Sequence, residues 1–64
     1  MNSNYSRNLK DLRGERTLGE VAKAVGISVS SLGMYETGRR IPRDDVKIRI
    51  AKYYGTTVAA IFFS

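Results

Sequence analysis

The sequence contains no cysteine and no histidine. Without cysteine it can form neither disulfides nor thiolate metal sites, a composition that suits a reducing cytosol. Without histidine it lacks the commonest general base and neutral metal ligand. Only six acidic residues are present, and Asp44-Asp45 is the sole adjacent pair. That pair precedes an apolar-periodic run, where it reads as the start of a helix whose dipole favours negative charge. The serines have no histidine partner and no G-x-S-x-G setting. The chain therefore does not read as an enzyme, and no catalytic residue, metal, cofactor or small-molecule ligand is expected. No apolar run reaches the roughly 18 residues of a membrane span. Met1 leads into polar Asn2-Ser3-Asn4 rather than an apolar leader. The expected location is cytoplasmic.

What is present is basic charge. Eleven Lys and Arg against six Asp and Glu give a net charge of +5. Such a balance favours a polyanionic partner, although charge alone fits equally a small basic domain charged for solubility. At 64 residues the chain reads as one domain, 1–64, near the size where a lone core is marginal.

Along the chain, Tyr5, Leu9 and Leu12 fall at i, i+4, i+7, one face of a first helix that Gly14 stops. Thr17 with Glu20 three residues on is a capping box for a second helix. Val21, Ala22 and Val25 form its inward face, and Ala22 is small enough for a crossing helix to come close. Gly26 follows the last periodic residue, where a left-handed cap is needed. Ser28 caps a third helix with Leu32 and Tyr35 inward, and Gly38 ends it. Pro42 keeps Ile41 extended and bars a helix there. A fourth helix runs from about Asp44 to Tyr54, with Val46, Ile50, Ala51 and Tyr54 inward, and Gly55 closes it. Thr57 caps a short fifth helix carrying Val58, Ile61 and Phe62. The predicted fold is all-α with five helices. Residues 18–37 have the grammar of a helix-turn-helix, whose second helix reads the DNA major groove.

The chain resembles the phage-repressor-like (XRE/Cro) helix-turn-helix family from Leu9 to Phe62. The residues that carry the likeness are Leu12-Arg13, Glu20-Val21-Ala22, Gly26-Ile27-Ser28, Tyr35-Glu36-Thr37-Gly38-Arg39-Arg40-Ile41-Pro42, Ile50-Ala51 and Ile61-Phe62. The resemblance implies that Arg39, Arg40 and Arg43, in the loop after the third helix, contact DNA phosphates. A guanidinium suits that task through bidentate, charge-assisted bonds. Base reading falls to Val29, Ser30, Gly33 and Met34, with Ser31 and Thr37 near the backbone. This set lacks the usual Arg, Lys, Asn and Gln readers. The chain has no glutamine, and its asparagines are Asn2, Asn4 and Asn8. Leu18 is a second departure, because many relatives carry a phosphate-bonding glutamine there.

The resemblance also implies an ion pair between Arg13 and Glu36. At the chain end, Ile61-Phe62-Phe63 cannot all point inward from one helix. With Ile48, off the inward face of the fourth helix, Ile61 and Phe63 are the expected dimer surface. The function expected from these features is a DNA-binding transcriptional regulator. Repression of a palindromic operator by a homodimer is favoured, since occlusion needs no further module. The alternative keeps the fold but weakens DNA reading, with the basic face serving RNA or an acidic protein.

Overall fold

The computed structural model describes residues 4–63, so the Met1-Asn2-Ser3 lead lies outside the described residues. The order of elements is α1 (Tyr5–Arg13), α2 (Leu18–Val25), α3 (Val29–Glu36), α4 (Asp44–Tyr54) and α5 (Val58–Phe62). Helix α3 packs against α1 and α2, α4 against α2 and α5, and α5 also against α1.

Local chemistry sets the helix starts. The hydroxyls of Thr17, Ser28 and Thr57 each accept from the N–H three residues on, at 3.0 Å, in Glu20, Ser31 and Ala60. Each bond satisfies one amide that the first helical turn leaves without a partner, at about 1 kcal/mol per cap. Asp44 and Asp45 occupy the first turn of α4, where the positive end of the helix favours them.

The core is drawn from every helix. Leu9, Val21, Leu32, Ile50 and Ile61 are fully buried at its centre, with Tyr5, Ala22, Val25, Tyr35, Val46 and Ala51 around them. Leu12, Leu18, Ile27, Tyr54, Val58 and Phe62 are half-buried against it. Long-range bonds close the ends of the chain onto one another. The Asn8 side chain donates to the Ile61 carbonyl at 2.8 Å, and the Tyr5 and Phe62 rings lie 5.9 Å apart.

One expected surface residue is corrected here. Ile61 is 1% exposed and belongs to the core, not to a dimer surface. Val58, Ile61 and Phe62 fall at i, i+3, i+4, so α5 turns this stripe inward as a unit. The surplus apolar group at the chain end is then Phe63, which is 72% exposed just past the helix.

Candidate nucleic-acid interface

The α2–α3 unit is held by its turn. Gly26 adopts φ 87° and ψ 36°, a left-handed conformation that costs glycine nothing. The Gly26 and Ile27 amides both donate to the Ala22 carbonyl, at 2.8 and 3.0 Å. That closes the end of α2 and starts α3 at a set angle. Ala22, almost fully buried, lets the two helices meet closely.

Helix α3 faces inward through Leu32, Tyr35 and Glu36. Its other face carries the expected readers. Val29 is 50% exposed, Ser30 is exposed, and Gly33 and Met34 are half-buried. A Cβ built on Gly33 would meet no atom within 4 Å, so nothing inside the protein requires glycine there. The hydroxyl of Ser28 donates to that of Ser31 at 2.9 Å, which leaves the Ser31 proton for an outside acceptor. Thr37 is different. Its hydroxyl reaches back to the Gly33 and Met34 carbonyls at 3.0 and 3.2 Å, so its donor is already engaged within the helix.

The loop from Arg39 to Arg43 carries the cations. Among the described residues, neither Arg39 nor Arg40 has an acidic side chain in ion-pair range, and both are exposed. Arg43 lies 3.9 Å from Asp45, with both side chains largely in solvent, a contact too loose to hold it. The loop itself is pinned. The Tyr5 hydroxyl donates to the Arg40 carbonyl at 3.1 Å, and Pro42 is buried. This tyrosine contact spans 35 positions and has no signature in the sequence, where Tyr5 reads only as a core residue of α1.

Arg13 and Glu36 are brought together beneath this surface. Arg13 Nε donates to both Glu36 oxygens at 3.1 and 2.8 Å, and Nη2 to Oε1 at 3.0 Å. Nη1 reaches the Arg16 carbonyl at 2.7 Å. The guanidinium thus ties the end of α1, the following turn and the end of α3. Its bond to Glu36 holds the Arg13 pKa above the ordinary value. Beside it, the Arg16 guanidinium lies 5.5 Å from the Tyr53 and Tyr54 ring centres. The Tyr54 hydroxyl is buried with no hydrogen-bond partner among the described residues. Burial, and then the nearby Glu36 charge, push its pKa up.

Ile48, 57% exposed, and Phe63 share a surface groove of about 380 Å³ with Val58, Asp44 and Lys47. The Lys47 ammonium is 5.4 Å from the Phe63 ring centre. Among the described residues no group of His, Cys, Asp and Glu could hold a metal ion, and no helix is long and apolar enough to cross a membrane.

Comparison with known proteins gives the family. Residues 5–61 match the family model described as a helix-turn-helix domain. Over 59 residues the chain is 34% identical to the cryptic phage CTXphi transcriptional repressor RstR of Vibrio cholerae. The alignment covers 89% of this chain and 53% of that protein, so the chain spans about half the length of this relative. No solved structure matches. An all-helical fold, the α2–α3 turn and a family match running from α1 into α5 together show that the chain belongs to the phage-repressor-like helix-turn-helix family.

Proposed function

We propose that this domain is a sequence-specific DNA-binding transcriptional regulator that sets α3 in the major groove. The observation that carries the reading is the pairing of a displayed α3 with a pinned loop whose Arg39 and Arg40 have no acidic partner among the described residues. Phosphates along the groove edge supply those partners, and their contacts give affinity and register without sequence choice. At the start of α3 the Ser31 hydroxyl, which accepts from Ser28, offers its proton to a phosphate. Sequence choice rests on Val29, Ser30, Gly33 and Met34. Val29 and Met34 offer only apolar contact, as to a thymine methyl, so specificity is modest.

The relative named a transcriptional repressor supports repression, with occlusion of a promoter as the simplest route. A homodimer on a palindromic operator fits the exposed Ile48 and Phe63 patch, since a two-fold interface joins the same patch of both copies. Half-sites then lie about one helical turn apart. The second reading, an interaction domain for RNA or an acidic protein, is favoured by one feature. The outward face of α3 has no amide or guanidinium, and its Thr37 hydroxyl is turned onto its own helix.

Titration of duplex DNA at several salt concentrations separates the two. Replacing Arg39 and Arg40 with Ala should weaken binding to all sequences alike and flatten the salt slope by about one unit per lost contact. No binding at low salt would overturn the DNA reading and promote the second.

A further inference from the structure

The loop that carries the arginines also displays an isoleucine. Ile41 is 63% exposed, between Arg40 and buried Pro42. Both neighbours are fixed, Arg40 by the Tyr5 hydroxyl on its carbonyl at 3.1 Å and Pro42 by burial. The proline also holds the residue before it extended. Between these two fixed neighbours Ile41 stands out from the core, and its apolar surface is presented to whatever the loop meets.

The surroundings state what that is. Arg39, Arg40 and Arg43 flank Ile41 on both sides and are all exposed, so the occupant is a polyanion. In a nucleic-acid strand, successive phosphates are joined by sugars, whose C–H edges are the apolar surface next to the charge. A loop with cations on either side of one aliphatic group matches that alternation. Against Ile41, a deoxyribose is a better fit than a ribose, because a 2′-hydroxyl buried there would lose water without gaining a partner.

On the reading that this domain binds DNA, we infer that Ile41 packs against the deoxyribose between the phosphates held by the arginine loop. It is a positioning residue that sets how deep the loop seats, and with it how α3 enters the groove. The contact releases no counterions, so it adds affinity without adding to the salt slope.

The test compares Ile41→Ser and Ile41→Val with the unaltered protein on duplex DNA and on inorganic polyphosphate, a polyanion without sugars. Ile41→Ser should bind every duplex about tenfold more weakly, which corresponds to about 1.4 kcal/mol, with the salt slope unchanged. Ile41→Val should lose about threefold or less, since most of the apolar surface remains. Polyphosphate binding should be the same for all three proteins, and the melting temperature should stay within about 2 °C, as for an exposed side chain. Unimpaired duplex binding by Ile41→Ser would overturn the inference and leave the DNA reading intact. An equal loss on polyphosphate, or a changed slope, would overturn it by showing a displaced loop. A shift in self-association of the free protein, with DNA affinity unchanged, would assign Ile41 to a second copy and also overturn it. Failure of the unaltered protein to bind any duplex would remove both readings together.

Discussion

Removing the Arg13 guanidinium should destabilise this domain more than removing its partner carboxylate. The two side chains are unequal in their access to water. Glu36 is 3% exposed as a residue, whereas the Arg13 side chain keeps 23%. Arg13→Ala leaves a buried carboxylate that has lost three charge-assisted bonds. Breaking a buried pair from one side costs about 3–5 kcal/mol. Because the Arg13 end is partly hydrated, the low end, about 3 kcal/mol, is the working value. A domain of this size has a total stability of only about 3–10 kcal/mol, so the loss removes about a third of it or more. At roughly 4–8 °C per kcal/mol, its melting temperature should fall by about 12 °C or more. Glu36→Ala leaves an arginine that can rehydrate, and should cost about 1–2 kcal/mol. The double variant should restore part of the loss, with a coupling of about 1–3 kcal/mol. Thermal and urea melts of the four proteins test this. Additive losses, or a larger loss from Glu36→Ala than from Arg13→Ala, would refute the argument from burial.

Tyr54→Phe removes a buried hydroxyl with no partner among the described residues and should raise stability by about 1 kcal/mol; a loss of that size would show that the hydroxyl is satisfied by bound water. The same variant should blunt alkaline unfolding. With the folded pKa raised, the unfolded tyrosine loses its proton first, near its ordinary value of about 10, so stability falls as pH rises beyond that point. Gly33→Ala should raise the melting temperature, since helix interiors favour Ala over Gly by about 1 kcal/mol and the added methyl meets open space. If α3 lies close to DNA at this point, the same change weakens binding, and a melt that drops instead would show that the face is covered. Changing Ser30 or Met34 to Ala should alter base preference more than nonspecific affinity, and an unchanged consensus from a binding selection would place the reading face elsewhere. Phe63→Asp should leave the monomer folded and lower any dimer fraction, which sedimentation of the free and DNA-bound protein measures directly.

The sequence by itself determined the local elements of this protein, because their signals act over three or four residues. Thr17, Ser28 and Thr57 bond the amide three positions on, so each cap is readable without the rest of the fold. The bounds of α4 follow from its apolar period between Asp44 and Gly55 in the same way. Only the tertiary structure decided what depends on closing the chain over long separations. That the Val58, Ile61 and Phe62 stripe is covered while Phe63, past the helix, stays exposed depends on α5 docking on α1, which the Asn8 bond to the Ile61 carbonyl, 53 positions away, helps to hold. Likewise, the loop that carries Arg39 and Arg40 is pinned by Tyr5 from the other end of the chain. The same closure leaves the Tyr54 hydroxyl without a partner among the described residues and Ile41 in solvent. Periodicity can mark a stripe such as Val58, Ile61 and Phe62 as apolar, but which surface covers it is decided by packing between elements distant in sequence.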